Sequence, residues 1–152
     1  MLDELDKNIL QVLQKDARIS NTELARRVNL SPPATHARVR RLEKDGLIQS
    51  YATIVDRKKA GYDLLCFVSI SLQLHETEQV AGFIKIIPEM PEVLECHHVT
   101  GEYDYLLKVV TRNTESLEDF LMNRLTPVSG VARIHTSLVL REAKSTSEIP
   151  LE

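Results

Sequence analysis

Cations crowd the run Arg38-Val39-Arg40-Arg41-Leu42-Glu43-Lys44. Guanidinium and ammonium groups donate to guanine edges and to phosphates, so a helix carrying this run suits a DNA groove. A rotation of about 100° per residue puts Thr35, Val39 and Leu42 on one stripe. Pro33, Ala34, Ala37, Arg40, Arg41 and Lys44 then fall on the opposite side, with His36 and Arg38 on its flanks. Small residues near the start of such a helix let its backbone approach the bases. Arg38 is expected to contact a base, Arg40, Arg41 and Lys44 phosphates, and His36 the groove; Asn21, Thr22 and Ser31 complete the expected DNA-binding set.

A second constellation is the turn Gly101-Glu102-Tyr103-Asp104. It offers a carboxylate for an ammonium group and backbone N–H groups for a carboxylate, with glycine permitting close approach, which is what an amino acid requires. Taken alone, the same residues also describe a plain hairpin turn whose tyrosines pack on a sheet. Cys96-His97-His98 with His135 suggests a metal, but on a strand Cys96 and His98 face one side and His97 the other, so no metal site is expected, and no cofactor. Glu115, Glu118 and Asp119 suit the start of a helix and form a solvated face.

The local grammar around the cationic run is that of a helix-turn-helix spanning residues 21–46. Ser20 and Glu23 have the spacing of a capping box, with Ile19 and Leu24 as a hydrophobic staple. Leu24, Ala25 and Val28 share a face, Asn29 tolerates the left-handed conformation of a helix stop, and Leu30 drops into the core. Ser31 is a second N-cap, Pro32 takes the first helical position, and Gly46 ends the helix. Upstream, residues 2–16 read as a helix capped by Asp3, with Leu5, Ile9, Leu10 and Leu13 packing on the pair. Downstream, β-formers at Ile48, Tyr51, Thr53, Ile54 and Val55 read as a strand leading away, and the charged segment 56–61 reads as a linker.

Composition bounds the function. The 152 residues are 43% hydrophobic and 27% charged, enough for a soluble protein of one large or two small domains. Trp is absent and aromatics are few, so neither an aromatic base-stacking platform nor a carbohydrate site is expected. No stretch approaches the roughly 20 apolar residues of a membrane span, and the start is not a basic leader, so a cytoplasmic protein is expected. Cys66 and Cys96 read as buried, reduced thiols. Residues 1–59 hold 12 Lys+Arg against 8 Asp+Glu, a net +4, whereas residues 60–152 hold 7 against 14, a net −7. Only the first segment suits a polyanion.

From Leu64 the period becomes two: Leu64, Cys66, Val68, Ile70, Leu72 and Leu74 alternate with Phe67, Ser69, Ser71 and Gln73. A helix opened by Thr77 follows, with Val80, Phe83, Ile84 and Ile87 on one face and Pro88 as its stop. Residues 93–100 and 105–111 form a hairpin. Thr114 caps a helix carrying Leu117, Phe120, Leu121 and Leu125, and residues 131–140 form a last strand with Ile134, Thr136, Leu138 and Leu140 facing one way. The fold class is therefore α+β: a helix-turn-helix (winged-helix-like) domain followed by a ferredoxin-like βαββαβ domain. Helices cover one sheet face, and the apolar residues of the other favour burial by a second subunit. The expected domains are 1–50 (DNA-binding), 51–62 (linker strand and hinge), 63–142 (effector-binding and oligomerisation) and 143–152 (an aperiodic tail).

Nearly the whole chain resembles the Lrp/AsnC (feast/famine) transcriptional regulators. The resemblance is carried by Leu5 to Leu10, Gln14 to Asn21, Leu30-Ser31-Pro32, Arg38 to Glu43, Gly46-Leu47-Ile48 and Glu95 to Leu107. It departs at His36-Ala37, where some members carry a bulkier or acidic pair, which leaves the preferred operator open. The resemblance implies a sequence-specific regulator of double-stranded DNA and dimers formed through the sheets. These would assemble into octamers, with an amino acid bound between regulatory domains. The pocket it implies joins Gly101, Glu102, Tyr103 and Asp104 to Thr136 and Ser137 on a neighbouring chain's last strand. Two other functions remain on the same plan: a siroheme-decarboxylase-like enzyme using His97, His98 and Arg133 around a tetrapyrrole, and an effector-independent architectural DNA protein. The basic helix argues against an enzyme, and none is expected.

Overall fold

The computed structural model describes residues 2–73 and 77–152. They form two compact units, Met1–Ile54 with Ala143–Glu152, and Val55–Glu142.

Unit 1 is a three-helix module: α1 (Glu4–Lys15), α2 (Asn21–Arg27) and α3 (Pro32–Lys44). Each begins on a side-chain cap, Asp3, Ser20 and Ser31, whose oxygens accept the N–H of Asp6, Glu23 and Ala34. Asn29 takes the left-handed turn at φ 54°. Gly46 closes α3 in a Schellman arrangement: its N–H donates to the Glu43 carbonyl and that of Leu47 to Leu42, and its φ of 76° is one a side chain resists. Ile9, Leu10, Leu24, Val28 and Leu42 make the core, with Val39 and Leu30 against it.

Two expectations for this unit are corrected. The Ser20 box is half formed, because the Glu23 carboxylate turns to Arg26 and Arg27 instead of the cap N–H. The strand expected over 48–55 is absent: residues 49–56 adopt no regular element, with Ile54 85% exposed, since within one chain no strand lies beside them to complete a ladder. The aperiodic tail, which forms no regular element, packs on α1. Gln14 both donates to the Ile149 carbonyl (3.1 Å) and accepts its N–H (2.6 Å), Gln11 donates to the Leu151 carbonyl, and Leu151 packs on the helical core.

Unit 2 runs β1 (Leu64–Leu72), α4 (Thr77–Ile86), β2 (Val93–His98), β3 (Tyr105–Thr111), α5 (Thr114–Asp119) and β4 (Val131–Leu138). A 3-10 turn, Ile87–Glu89, carries Pro88 after α4, and α5 continues as a π-helical segment, Phe120–Leu125. The sheet is antiparallel in the order β2-β3-β1-β4, the expected βαββαβ plan. Phe83, Ile87, Phe120 and Leu125 cover Val68, Ile70, Leu107 and Val109, all within 1% of complete burial. The opposite face carries Phe67, Ser69, Leu106 and Lys108 in register.

The segment expected to be a linker is a turn of this unit. Arg57 donates to the carbonyls of Tyr62 and Asp63 and pairs with Glu142, tying the start of the unit to its end. The cap of α5 is Asn113, one residue before the expected Thr114. Ile84 is 49% exposed, and Leu140 lies beyond β4 and is 92% exposed. Cys66 is buried as expected, but Cys96 is exposed because β2 is an edge strand beyond the helices' cover. Leu74 lies outside the described residues. No helix among the described residues is long and apolar enough to cross a membrane.

Candidate DNA interface and effector turn

The orientation of α3 follows from its buried stripe. Thr35 and Leu42 are fully buried, and the Thr35 hydroxyl bonds back to the Ser31 carbonyl (3.1 Å). Pro33, His36, Ala37, Arg40 and Lys44 are therefore turned to solvent, with Ala34 half-buried beside them. Thr22 and the cap Ser31 are exposed as well, whereas the Asn21 amide donates to the Pro32 carbonyl (2.9 Å) and stitches α2 to α3. Arg40 is 72% exposed, its ion pair among the described residues a 3.9 Å approach to Glu43.

Arg38 and Arg41 depart from expectation. Arg38 Nη1 donates to Asp3 (2.6 Å) and Asp6 (2.8 Å), and Arg41 Nη2 donates to Asp6, which is 2% exposed. The Arg38 guanidinium beside it, and then the Asp6 N–H, hold the Asp3 carboxyl below the usual carboxylate range. Arg38, expected at a base, and Arg41, expected at a phosphate, are thus both engaged with α1 in this chain.

In unit 2 the hairpin turn is fixed to the end of β1. The Asp104 carboxylate accepts the Leu72 N–H (2.8 Å), its N–H donates to Ile70, and its carbonyl accepts the Val99 N–H. Gly101 sits at φ 123°, and a Cβ there would meet nothing within 4 Å, so the backbone angle and not close approach demands glycine. The exposed Glu102 carboxylate meets Arg133 from β4 at 3.2 Å, Arg133 lies 5.0 Å over the Tyr103 ring, and the His135 ring is 6.0 Å from that ring. An accessible cation and anion beside an aromatic ring are complementary to a zwitterion.

Two models of known families match this architecture. The Lrp/AsnC ligand binding domain model covers residues 65–149, and a winged helix-turn-helix DNA-binding model covers residues 2–49. The transcriptional regulator AzlB of Bacillus subtilis is 38% identical over 152 residues, all of this chain and 97% of that protein. The chain belongs to the Lrp/AsnC family of transcriptional regulators. Its fold is similar to a Neisseria meningitidis transcriptional regulator described as an L-Met complex, with TM-score 0.96 and 34% identity over 99% of this chain and 97% of that one. It is also similar to a feast or famine regulatory protein from M. tuberculosis complexed with L-methionine, with TM-score 0.86 and 31% identity over 98% of this chain and 99% of that one.

Against this Lrp/AsnC frame, the expected effector residues divide. Glu102 and Tyr103 converge, while one Asp104 oxygen is already engaged with Leu72. Thr136 pairs with Val68 on the helix-covered face and Ser137 with Phe67 on the open face, so within one chain adjacent residues of β4 do not line one site. Arg133 and His135 are the β4 residues that reach the turn. Alternation along β4 places both with Ser137, but only the register of Ser71 with Arg133 and Ser69 with His135 puts them beside residue 102. His97 pairs with Glu95 (3.0 Å) and lies opposite Leu106, away from Cys96 and His98, and the described residues contain no group of three metal-ligating side chains.

Proposed function

We propose that this chain is a sequence-specific regulator that reads operator DNA with α3 and answers to a small amino acid held at the 101–104 turn. The observation that carries the DNA reading is the capped helix-turn-helix whose outer face presents Pro33, His36, Ala37, Arg40 and Lys44. Arg40 and Lys44 meet phosphates, and so does the start of α2 at Thr22, while His36 and the small residues lie against base edges. Arg133 takes the effector carboxylate, Glu102 its ammonium, and Tyr103 its side chain. The L-methionine complexes of two similar proteins support an amino acid as the effector class. Homodimers, joined through the open sheet face bearing Phe67 and Leu106 and assembling to octamers, place β4 of a neighbouring chain, with Thr136 and Ser137, within reach of the turn. The protein acts in the cytoplasm and catalyses nothing; its relatives are named transcriptional regulators. The test is a gel shift on duplexes selected from a random pool, repeated across a panel of amino acids that includes L-methionine. Migration or affinity that no amino acid alters defeats the effector half of the proposal. A folded chain that retards no duplex at low salt defeats the DNA half.

A further inference from the structure

Asp3, the N-cap of α1, and Asp6 in its first turn face Arg38 and Arg41, one turn apart on α3. Asp6 is the centre of this ladder. One carboxylate oxygen accepts from Arg38, and the other accepts from Arg41 and, at 3.4 Å, from the Asp3 N–H. A carboxylate 2% exposed has little water to turn to and relies on these donors for its hydrogen bonds. For either arginine to leave would uncover a buried charge, which costs far more than a solvated phosphate contact returns.

From this geometry we infer that Asp6 is a specificity-determining residue for DNA binding, withholding Arg38 and Arg41 from the phosphate backbone while fixing how α3 is rotated. The inference rests on the DNA-binding reading above. Its physical basis is that phosphate contacts strengthen binding to every sequence alike, whereas discrimination comes from base edges. Of the four cations on α3, two are turned against α1, leaving Arg40 and Lys44 to meet the backbone. A regulator with fewer free cations binds random DNA less tightly at the same base-reading power. Asp6 contacts no DNA itself; it acts as a positioning residue through the two arginines.

The experiment compares the full-length chain with Asp6→Asn, which keeps the side chain's shape and removes its charge. Binding is measured over a range of salt to a duplex selected by the wild type and to a scrambled duplex of the same composition, with circular dichroism verifying the fold. Freed arginines steepen the salt dependence on scrambled DNA by about one unit each, raise its affinity at low salt about three- to tenfold, and lower the selected-to-scrambled ratio about tenfold. An unchanged slope and ratio overturn the inference, and so does an equal loss of affinity for both duplexes, the mark of a merely structural role. Arg41→Gln supplies a test independent of the folding of Asp6→Asn. Its salt slope should match the wild type, and a slope shallower by about one would make Arg41 a phosphate ligand and overturn the inference. A wild type that binds neither duplex sinks the DNA-binding reading itself, whereas a discriminating wild type beside an equally discriminating Asp6→Asn sinks this inference alone.

Discussion

Asp104→Ala removes the side-chain bond that ties the 101–104 turn to the end of β1. The carboxylate accepts the Leu72 N–H at 2.8 Å, and Leu72 is 5% exposed, so water does not readily replace the lost acceptor. The backbone bonds from Asp104 to Ile70 and from Val99 to Asp104 survive the substitution. What is lost is a hydrogen bond to a charged group, with a buried donor left unpaired, worth about 1.5–3 kcal/mol. For a unit of this size that corresponds to a fall in melting temperature of about 6–24 °C. Asp104→Asn keeps an acceptor oxygen without the charge and should cost about 1 kcal/mol. Urea unfolding of the full-length chain followed by tyrosine emission reports the effect, because Tyr62, Tyr103 and Tyr105 lie in unit 2 and only Tyr51 in unit 1. The same bond fixes where Glu102 and Tyr103 point, so Asp104→Ala also blunts the rise in melting temperature produced by a bound amino acid while DNA affinity stays near the wild type. Stability within about 0.5 kcal/mol of wild type, or an asparagine variant as damaged as the alanine one, would refute the claim that this carboxylate anchors the turn.

Removing either outward-facing cation, Arg40→Gln or Lys44→Gln, should weaken binding to selected and scrambled DNA alike and make the salt slope shallower by about 0.9; selective loss on one duplex would assign that residue to base reading. Glu23 is held at about 2, against an ordinary value of 4.5, chiefly by the Arg26 hydrogen bond and then by that of Arg27. A carboxyl depressed on folding stabilises fully above its unfolded value, so the stability difference between wild type and Glu23→Gln should shrink as the pH falls from about 4.5 to about 2. A difference that grew on acidification would contradict the pairing. Deleting residues 148–152 removes Leu151 and the Gln11 and Gln14 bonds, and should destabilise unit 1 by about 1–2 kcal/mol. Faster amide exchange along α1 checks this, and unaltered protection would count against the tail's role.

What could be read from the chain was whatever is decided within a turn or two. Ser31-Pro32, Asn29 and Gly46 act on their own backbone, so the helix-turn-helix was visible before any tertiary contact was known. The alternation through β1 likewise identified its buried side. The role of Asp6 is hidden in the sequence because an acidic residue in a first helical turn already has a local reason to be there, and only the packing of α3 reveals its burial. The partners of Arg38 are hidden for the same cause: periodicity ranks the faces of a helix without naming what lies against them. The β-formers of 51–55 have strand propensity and no ladder, and propensity alone forms no sheet. Cys96 and Thr136 show that alternation tells one side of a strand from the other, but not which strand is at the edge nor which residue stands opposite.

Unit 1 is discontinuous in sequence, with its last segment returning after the whole of unit 2. The contact between Gln14 and Ile149 spans 135 positions, the kind of closure that comes late when a chain folds as it is made. The helices of unit 1 are synthesised before the sheet, yet α1 receives its tail only when the sheet's last strand is finished. Newly made copies therefore acquire a complete DNA-reading half only after the half that senses the effector exists.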